Sequence, residues 1–339
     1  MRCCRFSIII LLLITSCTRI SHITPAFYHW QTELHLSQVE KNYLAALNVE
    51  KLYVKFFDVD WDAALAQAVP VAVLEKNDWA NKELIPTIFI TNQVFQRLQA
   101  DQTEWLSARV HEKINELSSD LKINEIQFDC DWTATTRARY FDFLKIFKKR
   151  VEKQGIKISA TIRLHQIRDA QETGVPPVDR GMLMLYNTGD LESWQEENSI
   201  LNLKTANDYL ATAQKYPLPL DLALPIFSWG VLFRDAKMIR LLNNLRPEAL
   251  SDTTRFLKMS PNRFQVKKST YLNAYYLYEG DWIRTESVDT ALLQEASLLV
   301  RRRLKLSDCS IAFYHLDTAT IKHFPYEKLE KIYQLFENK

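Results

Sequence analysis

The chain has 339 residues and a formal net charge of +2, with 43 Lys and Arg against 41 Asp and Glu. So small a charge gives no long-range basic field, and nucleic acid is therefore not an expected partner. The six glycines form no Gly-rich loop that would hold phosphates, which argues against nucleotide-dependent chemistry. We expect no cofactor.

Residues 1–16 have the pattern of a secretion signal. Arg2 and Arg5 precede the apolar run 6–14, which is too short to cross a bilayer as a helix. Removal of this leader takes away both arginines and leaves 41 basic and 41 acidic residues, so the remaining chain has no formal net charge.

The leader ends in I-T-S-C, residues 14–17, which resembles the lipobox of bacterial lipoproteins. The resemblance implies that Cys17 becomes the lipidated first residue; the alternative is a chance cysteine beside an ordinary signal peptide. With the lipid, we expect the protein to be anchored to a membrane from outside the cytoplasm, on the periplasmic face or the cell surface, with 17–24 as a tether. The remaining Cys130 and Cys309 are expected to be buried free thiols, with no metal site.

Eight strand-like segments follow, most of them separated by segments with helical spacing. The predicted strands are Pro25–Leu34, Lys51–Asp60, Glu83–Asn92, Asn124–Thr133, Ile156–Gln166, Gly181–Thr188, Leu218–Trp229 and Cys309–Asp317. The predicted helices are Leu36–Leu47, Gln93–Leu121, Thr133–Gln154, Asn202–Tyr216, Asp289–Leu304 and Tyr326–Phe336. This alternation predicts the α/β class and a single (β/α)₈ TIM barrel over 25–339, which we expect to be a monomer.

One segment, Arg234–Val288, is too long for a loop of a compact barrel. We predict that it is an insertion of about 234–288 between strands seven and eight, on the face that carries the site. Within it, a helix is predicted at Ala236–Leu245, with strand-like runs at Arg263–Lys268 and Tyr271–Tyr278.

The fourth strand, N-E-I-Q-F-D-C-D-W-T, carries the most informative pattern. Three apolar residues alternate with three polar ones, namely Ile126, Phe128 and Cys130 against Gln127, Asp129 and Asp131. A period of two places the two carboxylates on one face of a strand, where charge is costly unless it is paired or used chemically. We predict that they form part of a site; the alternative is that they neutralise a buried Arg or Lys.

Barrel enzymes place their sites where the strands end, and aromatic and polar residues gather there in this sequence. Aromatic faces stack on sugar rings, whereas carboxylates and amides bind the hydroxyl groups between them; the alternative for each Trp is a core role. Structural roles also remain open for His165, as a hydrogen-bonded histidine, and for Tyr186, as a buried phenol. The predicted substrate-binding residues are Asp58, Arg163, His165, Tyr186, Trp30, Trp132 and Trp229.

Cleavage of a glycosidic bond needs an acid for the leaving oxygen and a second carboxylate. Asp131, near the rim and next to Trp132, is predicted to be the acid because apolar surroundings and a neighbouring negative charge would raise its pKa. Asp129, opposite Arg163 on the next strand, is predicted to stay ionised. Asp58 is the alternative second carboxylate.

The end of the fourth strand resembles the D-x-D-x-E strand of chitinase-type barrels. The resemblance places Asp129 at the internal Asp of that motif and Asp131 at its catalytic Glu, with Gln127 and Glu125 at two further positions where the residues differ. The fourth strand also reads Q-x-D-x-D over 127–131, the fifth reads S-x-T-x-R over 159–163, and Trp residues gather at the strand ends. In these features the whole chain after the leader resembles an uncharacterised group of bacterial barrel lipoproteins placed near glycoside hydrolases. That resemblance implies a barrel more than any particular activity.

Together these patterns predict a glycoside hydrolase-like lipoprotein that acts on a poly- or oligosaccharide. Two alternatives remain open. The first is a glycan-binding barrel without catalysis, whose acids only hold Arg163 and Lys55. The second is a scaffold for envelope assembly that uses the insertion.

Overall fold

The computed structural model describes residues 22–75, 82–304 and 306–337. The predicted leader, Cys17 and most of the predicted tether lie outside these ranges. Within them, no helix combines the length and the apolar character needed to cross a bilayer.

The described residues form sixteen strands. They are β1 (Ile23–His29), β2 (Lys51–Asp62), β3 (Gln67–Val71), β4 (Glu83–Ile90), β5 (Glu125–Asp129), β6 (Lys157–Arg163), β7 (Arg180–Met184), β8 (Leu220–Pro225), β9 (Ser228–Arg234), β10 (Lys237–Asn243), β11 (Phe256–Ser260), β12 (Arg263–Val266), β13 (Thr270–Leu272), β14 (Tyr275–Leu277), β15 (Trp282–Ser287) and β16 (Cys309–Tyr314).

Ten α-helices are present in the same ranges. They are α1 (Gln38–Ala46), α2 (Asn92–Arg97), α3 (Thr103–Leu117), α4 (Arg137–Glu152), α5 (Leu164–Arg168), α6 (Ala170–Thr173), α7 (Leu203–Leu210), α8 (Thr290–Arg303), α9 (Thr318–Ile321) and α10 (Tyr326–Phe336). Short 3₁₀ turns lie at Ala100–Gln102, Ala213–Lys215 and Pro247–Leu250.

Eight parallel strands close into a barrel in the order β1-β2-β4-β5-β6-β7-β8-β16, and β16 pairs back onto β1. Helices connect most of these strands, so the chain is a (β/α)₈ TIM barrel, as predicted. Because all eight strands run the same way, their carboxyl ends meet at one rim. The extra strand β3 pairs antiparallel with the end of β2 at this rim.

The insertion lies between β8 and β16, as predicted. Its main part is an antiparallel five-stranded sheet in the order β10-β9-β15-β12-β11, and β13 and β14 form a separate hairpin. Leu232, Leu250, Phe256, Phe264 and Ile283 belong to a second hydrophobic core beside that of the barrel.

The helix predicted at Ala236–Leu245 is wrong, because this segment forms β10. Asp235 and Ala236 both have positive φ angles, of 49° and 59°. Two consecutive residues of this kind form the tight turn that matches the twist of a hairpin, so the chain folds back onto β9. A similar turn at Asn273 and Ala274 divides the run Tyr271–Tyr278 into a hairpin.

The alternation of β5 determines what enters the barrel. Phe128 points outward and meets Phe143 and Phe147 of α4, with ring centroids 5.2 and 4.8 Å apart. Gln127 points inward, where its side-chain oxygen accepts a hydrogen bond of 2.6 Å from the Tyr28 hydroxyl. Asp129 follows on the same inner face, so apolar packing outside the barrel directs the polar residues into it.

The contact of Phe128 with α4 can be tested by truncation. Phe128→Ala is expected to lower the free energy of unfolding by about 3–5 kcal/mol, because Phe128 is fully buried. Urea unfolding followed by circular dichroism measures this loss. Tyr326→Ala, at a side chain that is 42% exposed, is the control and should change the free energy by less than about 0.5 kcal/mol. A loss at Phe128 as small as that at Tyr326 would contradict the packing.

Candidate functional site

The site is built at the carboxyl ends of β5 and β6, which are neighbours in the barrel. Asp129 is the last residue of β5, and Thr161 and Arg163 lie on the adjoining part of β6. The Thr161 hydroxyl donates a hydrogen bond of 2.6 Å to Asp129 Oδ1. Asp131 lies two residues beyond Asp129, just past the strand. The two carboxylates therefore sit at different depths on one side of the barrel.

Arg163 joins the two carboxylates. Its Nε donates to Asp131 Oδ1 at 2.6 Å, and one terminal nitrogen lies 3.5 Å from Asp129 Oδ1. Its other terminal nitrogen contacts the sulfur of Met184 at 2.7 Å. The prediction that Asp129 lies opposite Arg163 is correct, and the same cation also holds Asp131.

The negative charge predicted for Asp129 is opposed by its burial, although Arg163 lies opposite it as predicted. Burial raises the pKa of the Asp129 carboxyl, and the positive charge of Arg163 and the Thr161 hydroxyl only partly oppose this rise. The apolar surroundings predicted for Asp131 are also absent, because its side chain is 54% exposed and paired with Arg163. Burial thus favours the protonated form of Asp129, whereas the Asp131 carboxylate is accessible from the solvent.

Asp129, Asp131 and Arg163 line an open cavity of about 500 Å³, called the cleft below. This volume is within the range of small-molecule sites. The other residues that line it are Trp30, Phe89, Tyr186, Asn187, Phe227, Ser228, Trp229, Asn243, Asn244, Tyr314 and His315.

Aromatic rings form a continuous side of the cleft. Tyr314 is at its centre, with ring centroids 5.8 Å from Trp30, 5.3 Å from Tyr186 and 5.8 Å from Phe227. Phe227 in turn lies 5.2 Å from Trp229. Three of the predicted substrate-binding aromatics, Trp30, Tyr186 and Trp229, are therefore brought together on one side of the two carboxylates.

Asp58 lies beside the cleft and is engaged with Lys55. Lys55 Nζ is 3.1 Å from Asp58 Oδ2 and 5.9 Å from the centre of the Trp30 ring. Burial raises the pKa of Asp58 although Lys55 opposes the rise, and its Oδ1 has no hydrogen-bond partner. Asp58 is not among the cleft-lining residues, so its contribution is to hold the cation beneath Trp30.

Besides Asp58, two further predicted substrate-binding residues, Trp132 and His165, do not line the cleft. Trp132 is fully buried, stacks near Tyr140 and Phe141 of α4, and donates its indole N–H to the carbonyl of Thr173 at 2.9 Å. The alternation of β5 ends before it, so its direction does not follow from the strand pattern. Trp132 is a core residue in this structure.

His165 differs from its predicted position because β6 ends at Arg163 and α5 begins at Leu164. The helical turn moves His165 off the strand face that carries Arg163, and its side chain is largely exposed. Partial burial lowers the pKa of His165, with the charge of Asp131 acting against this effect.

The insertion contributes cleft residues that sequence patterns did not single out. Asn243 ends β10, and Asn244 follows in a left-handed conformation with its backbone N–H bonded to the carbonyl of Ser228 at 2.9 Å. A pair of asparagines after an apolar run is a turn signal, but their place at the cleft depends on the pairing of β10 with β9. That pairing is a long-range contact.

Two histidines lie where β1 and β16 end. Burial lowers the pKa of His29 to about 4 and also lowers the pKa of His315, and the Nδ1 atoms of both lack a hydrogen-bond partner. The nearest acidic group to His315 is Asp317, whose Oδ2 is 3.5 Å from Nδ1. Among the described residues, no cluster of three or more His, Cys, Asp or Glu side chains has a metal-binding arrangement.

Solved structures share this architecture. The spore cortex-lytic enzyme SleL of Bacillus cereus is 14% identical, with a TM-score of 0.55 over 94% of this chain and 75% of that one. A chitinase of Chromobacterium violaceum is 12% identical, with a TM-score of 0.53 over 91% and 98% of the two chains. A Group II chitinase domain of Ostrinia furnacalis, solved with a chitooligosaccharide, is 10% identical, with a TM-score of 0.50 over 86% and 89%.

These likenesses show that this chain has the same barrel fold as those proteins. At such low identity they show the fold alone. No family model and no curated protein matches the sequence.

The raised pKa of Asp129 gives a stability prediction. The folded protein keeps this proton at pH values where the unfolded chain, with an Asp pKa of about 3.9, has released it. Asp129 therefore lowers the free energy of unfolding as the pH rises through its folded pKa. Asp129→Asn is expected to be more stable than the wild type at pH 7, with the advantage shrinking towards pH 4. Urea unfolding across this pH range measures the effect.

Asp221→Asn is the matched control, because this buried carboxylate has strong partners. Arg180 donates to its two oxygens at 2.9 and 3.0 Å. Removal of the charge should lower the free energy of unfolding by about 1.5–3 kcal/mol at pH 7. An Asp129→Asn protein that is also destabilised at pH 7 would contradict the assigned effect of burial on Asp129.

Proposed function

We propose that the chain is a glycoside hydrolase-like lipoprotein that cleaves a poly- or oligosaccharide with carboxylate acid/base chemistry. One observation carries the proposal: Asp129 and Asp131, joined by Arg163, lie in an open cleft whose side is lined by aromatic rings. Aromatic faces bind sugar rings, and two carboxylates supply the groups that glycosidic cleavage requires.

The two carboxylates have different roles in this proposal. Asp131 is the acid that gives a proton to the glycosidic oxygen, because its side chain reaches into the cleft. Asp129 is the second carboxylate: its ionised form takes the proton of the attacking water while Asp131 gives a proton to the leaving oxygen, and burial, which raises the pKa of Asp129, makes it the stronger base. Arg163 binds both and keeps them on the same side of the bound sugar.

Substitution of each carboxylate tests these roles. Asp131→Asn and Asp129→Asn are each expected to lower turnover by about 10²–10⁴-fold, the usual contribution of a general acid or base. The measurement is release of reducing ends from (NAG)₅ and from purified peptidoglycan between pH 4 and 8. Asp142→Asn, at an exposed carboxylate on α4 paired with Lys145, should keep full activity. Full activity in both cleft variants would reject the assignment.

A glycan-binding barrel without catalysis is the second candidate. The observation in its favour is that each acid near the cleft already has a cation, Arg163 for Asp129 and Asp131 and Lys55 for Asp58. Calorimetric titration with the same glycans separates the two functions. Binding without product at any pH from 4 to 8 would favour this candidate.

The proposal includes the lipid anchor implied by I-T-S-C at 14–17. Cys17→Ser is expected to abolish incorporation of labelled fatty acid and to move the protein from the membrane fraction to the soluble fraction. Cys3→Ser, at a leader cysteine outside the lipobox, should leave both properties unchanged. A Cys17→Ser protein that still incorporates the label would exclude this anchor.

A further inference from the structure

A row of three residues crosses the insertion sheet beside the cleft. Asn243 of β10 and Glu286 of β15 both lie directly opposite Trp229 of β9 in the strand register. Side chains directly opposite one another in antiparallel strands point to the same face of a sheet. Asn243 and Trp229 line the cleft, and Trp229 and Glu286 are both buried, with exposed fractions of 7% and 3%.

Both oxygens of the Glu286 carboxylate accept hydrogen bonds from neighbouring residues. Its Oε2 accepts hydrogen bonds from the Trp229 indole N–H at 2.8 Å and from the backbone N–H and hydroxyl of Ser199 at 2.8 and 2.5 Å. Its Oε1 accepts from Arg284 Nε at 2.5 Å, and neither side chain of this ion pair is exposed. A charged acceptor makes the bond to the indole stronger than a neutral one would.

The same pair of residues holds the loop 187–202. Arg284 donates to the backbone carbonyls of Ser193 and Leu191, while Glu286 binds the amide of Ser199. Asn187, at the start of this loop, lines the cleft. Its backbone N–H donates a hydrogen bond of 2.8 Å to the backbone carbonyl of Ile200. The buried ion pair is thus one of the connections between the insertion sheet and the loop, alongside the hydrogen bonds from Arg263 to the carbonyls of Trp194 and Glu196.

We propose that Glu286 is a positioning residue for glycan binding, which acts by fixing the plane of the Trp229 indole in the cleft. The inference rests on the proposed function, because it takes the aromatic side of the cleft as the surface on which sugars stack. An indole held by a hydrogen bond at its N–H cannot rotate freely about its side-chain bonds. The ring is therefore already oriented before the glycan arrives, and less conformational entropy is lost on binding.

The first measurement needs no ligand. The indole N–H resonance of Trp229, identified by its loss in Trp229→Phe, is followed by ¹⁵N–¹H NMR in the wild type and in Glu286→Gln. We expect a clear shift of this signal in Glu286→Gln, because the carboxylate beside the indole proton is removed. An unchanged signal would overturn the proposal.

Asp281→Asn is the matched control. Asp281 is a buried carboxylate of the same insertion that binds Arg234 through both oxygens, at 2.7 and 2.9 Å, at the end of β9 opposite to Trp229. Its substitution removes an ion pair from the insertion without touching the indole. The Trp229 signal should stay in place in this variant, and a shift as large as that of Glu286→Gln would mean that general loosening of the insertion explains both.

The second measurement is a double-mutant cycle on the affinity for (NAG)₅. Glu286→Gln is expected to raise Kd about tenfold, because a neutral amide oxygen holds the indole N–H less strongly than the carboxylate does, and Asp281→Asn less than about twofold. In the Trp229→Phe background, which has no indole N–H, Glu286→Gln should change Kd by less than about twofold. If the fold-change in Kd of the double variant equals the product of the fold-changes of the two single variants, the proposal is overturned.

Glu286→Gln leaves Arg284 without its partner. Where that variant does not fold, the paired change Arg284→Met with Glu286→Leu removes both charges and is used in the same measurements. If the wild type does not bind (NAG)₅ or peptidoglycan, the proposed function fails. The NMR comparison still decides whether Glu286 orients Trp229, so the two failures are distinguishable.

Discussion

The site depends on the period-two alternation of β5 inside a closed barrel. Phe128 has to face outward because it packs against α4, and this requirement directs its neighbour Asp129 into the barrel. A buried carboxylate needs partners, which Thr161 and Arg163 on the adjoining strand supply. Arg163 then binds Asp131 as well, so the packing of one aromatic ring outside the barrel fixes the position of two acids within the cleft.

The cleft is lined by residues of both the barrel and the insertion. The strand ends supply the carboxylates, Arg163 and part of the aromatic side, while β9 and β10 add Trp229, Asn243 and Ser228. Neither part alone encloses a cavity with both acids and a full row of rings. Substitutions in the insertion sheet therefore change the aromatic side of the cleft. The ion pairs around Asp129 belong to the barrel and are left intact by such substitutions.

The residues that sequence patterns placed correctly are those governed by local periodicity or by strand order. Asp129 and Arg163 are examples, since neighbouring parallel strands bring their ends together. Trp132 and His165 were misplaced because each follows the last paired residue of its strand, where the alternation no longer applies. The segment Lys237–Asn243 has apolar spacing that also suits a helix. It forms a strand because the left-handed turn at Asp235 and Ala236 folds it back onto β9. Asn243 reaches the cleft, and Glu286 reaches Trp229, through pairing between distant segments, which no local pattern contains.

The ion pair of Arg284 and Glu286 has a kinetic consequence for the cleft. A loop that closes over substrate must open again to let product leave, and such opening often limits turnover. Here the loop 187–202 is fastened to the insertion by the buried side chains of both residues. Under the proposed function, a loop held in this way is already ordered in the folded protein, and product release is expected to need no opening of this loop.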